Sequence, residues 1–222
     1  MTGRWDASPC SCRFRAVAAA GLLFLAAGCG SGEQAAQVQA TVLYQRTSAG
    51  PLTLWISADA MKVRSPLWGT LLFGKPGSAA LYVDDRRRRV MEVPLAAWSE
   101  PSPTKKWVLR ATEKKERIAG VEARQWVASL GSGKRLEVWV AQSIPLPPGA
   151  LPWLRALAPG AWGTRAGAVL RVRSLKPGRK ATLRLDTERI ERVTLQASAF
   201  RPPADYPKVS DRPPPFRWLR DS

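Results

Sequence analysis

From Val38 to the neighbourhood of Phe200 the chain repeats one pattern: short runs in which apolar and polar residues alternate, each ended by a turn signal. Val38, Ala40, Val42 and Tyr44 alternate with Gln39, Thr41 and Gln45, and Leu52, Leu54 and Ile56 follow Gly50-Pro51. The spacing recurs at Met61, Val63 and Ser65, at Leu81 and Val83, at Met91 and Val93, and at Trp107, Leu109 and Ala111. It continues through Ala168, Leu170 and Val172, through Leu183 and Leu185, and through Val193, Leu195 and Ala197. Period two sends successive side chains to opposite faces of a strand, one buried and one solvated. Such half-buried strands belong to antiparallel sheets. Roughly ten or eleven of them predict one all-β domain over residues 38–200.

Two stretches depart from the alternation. Pro148 to Ala158 places Leu151, Leu154 and Ala158 at helical spacing, with Trp153 and Leu157 beside them. It reads either as a short amphipathic helix starting near Pro152 or as a Pro-rich loop whose leucines plug the core. Pro94 to Trp98 allows another single turn. The run Asp84-Asp85-Arg86-Arg87-Arg88-Arg89 suggests polyanion binding, but its place between two strands favours a hairpin turn with solvated ends. Residues 201–222 hold Pro202, Pro203, Pro207, Pro213, Pro214 and Pro215. Each proline removes a ladder donor, so a Pro-rich basic tail is expected there, extended and outside the sheet.

The N-terminus has the organisation of an export leader. A basic region with Arg4, Arg13 and Arg15 precedes a twelve-residue apolar stretch, Ala16 to Ala27, too short to span a bilayer. It ends in Leu25-Ala26-Ala27-Gly28-Cys29, where small residues let the chain lie extended in a peptidase cleft and present the cysteine sulfur to a diacylglycerol. The sequence resembles a lipobox, with Leu25 one place earlier than the usual leucine. Residues 1–28 are therefore read as a lipoprotein signal peptide, Cys29 as the lipidated residue and 29–37 as a flexible tether. In Gram-negative lipoproteins an Asp after the cysteine retains the protein at the inner membrane. By analogy Gly30 points to the outer membrane, facing the periplasm, and to a cell-envelope location.

Side-chain chemistry narrows the function classes. The chain has no histidine and 3 cysteines, of which Cys10 and Cys12 lie in the leader. Ser-His and Cys-His catalysis, His-containing zinc sites and His general bases are all excluded, and no disulfide can form after Cys29. Carboxylates are the remaining acid/base groups. Asp84 and Asp85 are adjacent and point to opposite faces of a strand, while Glu113 and Glu116 sit among Lys114, Lys115 and Arg117. No enzyme and no cofactor is expected. The net charge of +18 falls to +16 when Arg4, Arg13, Arg15 and Asp6 leave with residues 1–28. Export makes nucleic acid the wrong partner. Anionic lipid, lipopolysaccharide phosphates or an anionic envelope polymer remain, unless the arginines reflect only a GC-rich coding sequence.

Several elements together look familiar. Ile118-Ala119-Gly120 opens a strand through Trp126, a glycine turn follows, and then Leu136-Glu137-Val138-Trp139-Val140. Downstream come Gly167-Ala168-Val169-Leu170-Arg171-Val172 and Phe200-Arg201-Pro202-Pro203-Ala204-Asp205-Tyr206. Over residues 105–206 this order resembles the bacterial periplasmic domain of unknown function 4412 family, which is similar in fold to the outer-membrane lipoprotein-sorting carriers and receptors. The resemblance implies an incomplete antiparallel β-barrel with a short helical lid over its concave face, and it brings no catalytic residue. A strongly curved sheet must fill its concavity with side chains, a helix or a ligand. Strand parity nominates Val121, Ala123, Val127, Leu136, Val138 and Val140 as the inward set, with Leu151, Leu154 and Leu157 on the lid. Parity puts Trp126 and Trp139 with Arg124 and Glu137 on the polar face, where they can stack beneath arginines. The leading expectation is a non-catalytic carrier or sensor of a lipid or other hydrophobic ligand. The alternative is a structural envelope lipoprotein whose basic surface holds anionic lipid or cell wall.

If Cys29 is lipidated, cells grown with a clickable palmitate analogue will tag the protein, and Cys29→Ser will abolish the tag and release the chain from membranes. A tagged Cys29→Ser variant rules the anchor out.

Overall fold

The computed structural model describes residues 36–75, 77–94, 107–130, 133–157 and 167–210. All belong to the compact unit Ala35–Ser222. The leader, Cys29, the turn expected after Pro94 and the last twelve residues of the Pro-rich tail lie outside the described residues.

Among the described residues twelve strands form one sheet. They are β1 (Gln37–Thr47), β2 (Gly50–Ile56), β3 (Met61–Ser65), β4 (Gly69–Phe73), β5 (Ala80–Asp84), β6 (Arg89–Val93), β7 (Val108–Ile118), β8 (Val121–Ser129), β9 (Arg135–Pro145), β10 (Gly167–Leu175), β11 (Thr182–Gln196) and β12 (Lys208–Val209). Their spatial order is β12-β6-β5-β4-β3-β2-β1-β11-β10-β9-β8-β7, so the sheet is open, with β12 and β7 at its edges. The architecture is all-β with one short helix, consistent with an incomplete antiparallel barrel. Each half is a meander of hairpins, and the long β1–β11 ladder joins them. Ala119 (φ 48°) and Gly120 (φ 84°) make the two-residue turn between β7 and β8, with both central residues left-handed as the twist of a tight hairpin requires.

Register assigns every strand two faces, because directly paired residues point the same way. On β1 to β6 one face carries Leu43, Leu54, Val63, Leu71, Tyr82 and Met91, all buried. This is the inner face. A 3-10 turn, Pro148–Ala150, and helix α1, Leu151–Leu157, lie against it. Trp153 meets Phe73 at 6.3 Å between ring centroids, and a Cβ on Gly149 would come within 2.0 Å of the Gly74 carbonyl oxygen. The helical reading of this stretch is the correct one.

The two halves of the sheet meet through bulges, with a register shift between Tyr44 and Gln45 on β1 and others at Val172/Arg173 and Val169/Arg171 on β10. A bulge removes ladder partners from buried backbone. Two side chains replace them here. Gln45 Nε2 donates to the Val169 carbonyl at 2.8 Å and to Thr187 Oγ1 at 3.0 Å, and Thr187 Oγ1 donates to the Leu170 carbonyl at 2.8 Å.

The C-terminal segment corrects an expectation. Residues 201–210 do not hang free of the sheet. After a 3-10 turn, Ala197–Phe200, the chain crosses the outer face: Lys62 Nζ donates to the Ala199 carbonyl at 3.3 Å. Tyr206 packs on the outer cluster Leu72, Val83 and Val90, and β12 pairs with β6 in parallel. Proline prevents donation but not acceptance. Val90 N–H donates to the Pro207 carbonyl at 2.9 Å, and the strand that pairs is the Lys-Val that follows the proline.

Thr187→Val should lower stability by about 1–3 kcal/mol, since it leaves the buried Leu170 carbonyl without a donor at nearly constant volume. Urea unfolding of the Cys29→Ser protein measures this. An unchanged midpoint shows that the network does not hold the bulge.

Candidate functional site

The nine residues expected to line a concavity divide between two faces. Leu136, Val138 and Val140 are inward and 2% exposed or less. Opposite them on β8 the register places Ala128, Trp126 and Arg124. Val121, Ala123 and Val127 therefore lie on the outer face, beside Glu137, Trp139 and Ala141. The reason is the loop. Ser129 pairs with Arg135, so five residues separate the two strands, and an odd loop sets even numbers against even and odd against odd. Ala123 is buried all the same, while Val121 and Val127 are half-buried. On the lid Leu154 is fully buried, but Leu151 and Leu157 are only half-buried and Trp153 takes the second anchoring position.

The two tryptophans expected together on a polar face are also separated. Trp126, opposite Val138, lies on the inner face and packs against the core. Trp139 lies on the outer face and is wholly buried, beneath Arg173 at 5.1 Å and Lys114 at 5.9 Å from its ring centroid. Its burial comes from cations above it, as the stacking expectation had it.

Arg171 crosses the same outer face. It pairs with Asp186 on β11 (Nε to Oδ1, 2.6 Å) and with Glu116 on β7, its guanidinium bridging strands that are not neighbours. Burial alone would lower its pKa, but the hydrogen bonds and charges of Asp186 and Glu116 outweigh that, and the net shift is upward. Ala123, paired with Glu116, lies on this face and is buried within the apolar cluster.

A cleft of about 480 Å³ opens where the β3–β4 and β5–β6 turns meet. Arg64, Leu67, Trp68, Tyr82, Asp85 and Arg86 are among its walls. Several polar groups there are already engaged. The Tyr82 hydroxyl donates to the Trp68 carbonyl, and Ser65 Oγ accepts from Leu67 N–H at 3.2 Å. Asp84 accepts from Arg87 N–H at 3.2 Å and faces Arg89 at 3.5 Å. Burial, reinforced by Asp84, raises the Tyr82 pKa, so its hydroxyl keeps its proton. Such a site can bind and orient a small molecule. Among the described residues no three carboxylate or thiol groups converge as metal ligands do, and no helix is long and apolar enough to cross a membrane.

No protein-family model and no curated protein matches the chain. Among solved structures it is similar to an uncharacterized conserved protein from Thermus thermophilus, at 15% identity and a TM-score of 0.43, covering 80% of this chain and 92% of that one. It is similar also to PNGF-II, at 10% identity and a TM-score of 0.45, and to the MucA/MucB complex of Pseudomonas aeruginosa, at 11% and 0.37. These matches cover 79% and 77% of this chain, but only 31% of PNGF-II and 57% of the matched chain of the complex. At such identities and scores no residue role passes from one protein to another.

Arg171→Met should destabilise the fold by roughly 1–3 kcal/mol, less than a fully buried pair would, because Glu116 and Asp186 remain partly exposed to water. A double-mutant cycle with Glu116→Gln should show coupling across the four strands. Simple additivity would show that the bridge does not hold them.

Proposed function

We propose that this chain is an exported lipoprotein, anchored in the cell envelope through Cys29 on the periplasmic side of the outer membrane. Its β domain is non-catalytic and binds a lipid or another hydrophobic ligand on the inner face. One observation supports the ligand above all: the apolar inner face of an unclosed sheet is covered by a helix of seven residues, seated by Trp153 and Leu154 with Leu151 and Leu157 half-exposed. Lifting so short a lid frees a groove over Leu136, Val138 and Val140, and each methylene of an acyl chain placed there contributes about 0.8 kcal/mol. The leader sequence and the family resemblance support export and the envelope.

The structural reading, a basic surface that holds anionic lipid or cell wall, has its own support. Leu136, Val138 and Val140 are at most 2% exposed, so in this state their own neighbours fill the space.

Val138→Trp separates the two. If a ligand lies under α1, the full-length Cys29→Ser protein binds a fluorescent fatty acid, and the substitution weakens that binding while the fold survives. If the face is a closed core, the substitution overpacks it and lowers stability by roughly 1–3 kcal/mol. A wild-type chain that binds no such probe leaves the structural reading in possession.

A further inference from the structure

Because β1 to β11 pair with their neighbours antiparallel, their connections alternate between the two ends of the sheet. Register puts Thr47, Ser65, Asp84, Ser129, Leu175 and Thr182 at one end. Gln37, Ile56, Phe73, Ile118 and Gln196 are at the other. The two ends are charged differently. The turns after Ile56, Phe73 and Ile118 hold only one acid and one base, Asp59 and Lys75. At the first end, the turn from β10 to β11 contributes Lys176, Arg179 and Lys180, and the turn into β9 contributes Lys134 and Arg135. These turns are neighbours: a Cβ on Gly133 would lie 3.3 Å from Pro177 Cγ. With Arg173 and Arg184 on the flanking strands, residues 130–136 and 173–184 together hold seven Lys and Arg and no Asp or Glu.

Two features make this more than a solvated face. Arg135, Lys176, Arg179 and Lys180 are exposed, so their charges are open to a partner. Arg184, by contrast, is partly buried with no carboxylate beside it. Its Nε makes no hydrogen bond, and desolvation lowers its pKa. Elsewhere the half-buried guanidinium of Arg171 has two carboxylates, which Arg184 does not. An anion is what these two turns lack.

We propose that these paired turns are a docking surface for a phosphate-bearing polyanion. Arginine forks match phosphate oxygens two at a time, and a row of fixed cations along two adjacent turns suits an extended chain of anions. The choice of a polymer over a bilayer rests on the anchored reading above. β1 starts at Gln37, at the opposite end of the strands from these turns.

The test uses full-length protein in phosphatidylcholine vesicles and fluorescent inorganic polyphosphate as the probe, over a salt series. Arg135→Ala with Arg179→Ala and Lys180→Ala should weaken binding at least about tenfold and flatten the salt dependence by about two to three charges. Removing the same charge at Lys75, Arg192 and Arg201 should change binding less than about threefold. Equal losses from both sets, or a wild type that does not bind polyphosphate, overturn the proposal. So does tighter binding to phosphatidylglycerol vesicles than to polyphosphate. If the first triple variant melts early, Arg179→Gln with Lys180→Gln repeats the measurement on a turn that keeps its size. Cys29→Ser protein in solution should bind polyphosphate as the wild type does, so a failed anchor and a failed docking surface give different results.

Discussion

The fold depends on the pairing of β1 with β11. Apart from β12, each half of the sheet pairs strands that follow one another in the chain, most of them through short turns. The ladder that joins Gln37 to Gln196 and Thr47 to Leu185 joins segments roughly 140 to 160 residues apart, and no turn specifies it. Its closure entropy is offset by burial on both sides, of Leu43 against the inner core and of Ala40 and Val42 under the outer face. The bulges beside it let the two halves bend toward each other. Gln45 and Thr187 allow that bend by supplying hydrogen bonds to carbonyls the bulges would leave bare.

The two faces solve burial by different means. The inner face is apolar and is closed by a helix. The outer face of the second half is closed by arginines: Arg173 over Trp139, and Arg171 over small residues between Glu116 and Asp186. The high Arg content is thus partly structural. Guanidinium groups lie flat on aromatic and small side chains and keep their charge at the surface. Arg135, Lys176, Arg179 and Lys180 at the Thr47 end are exposed and belong to neither closure.

Much of this was legible in the residues. Period-two alternation gave the strands and the antiparallel class, and Leu151 with Leu154 marked the helix. Side-chain facing was less legible, and β8 shows why. Val121, Ala123 and Val127 are apolar and alternate correctly, yet the five-residue separation of Ser129 from Arg135 turns them outward. Alternation fixes which residues share a face within one strand. Only loop length fixes it between strands. The tail misled for a related reason: its prolines exclude donors, but a strand of two residues beside an edge needs few donors, and Pro207 supplies an acceptor.

The crossing C-terminal segment has a consequence for the molecule's solubility. An open sheet has two edges where foreign strands can add. β7 is defended by its own sequence, with Arg110, Glu113, Lys114, Lys115, Glu116 and Arg117 along it and an irregularity between Ala111 and Lys115. β6 carries Val90, Met91 and Val93 and has no such row of charges. Its protection is borrowed from Tyr206, Pro207, Lys208 and Val209. A chain cut by a protease after Phe200 would keep its core yet bare an apolar edge, and copies of that fragment would be primed to add to one another as strands.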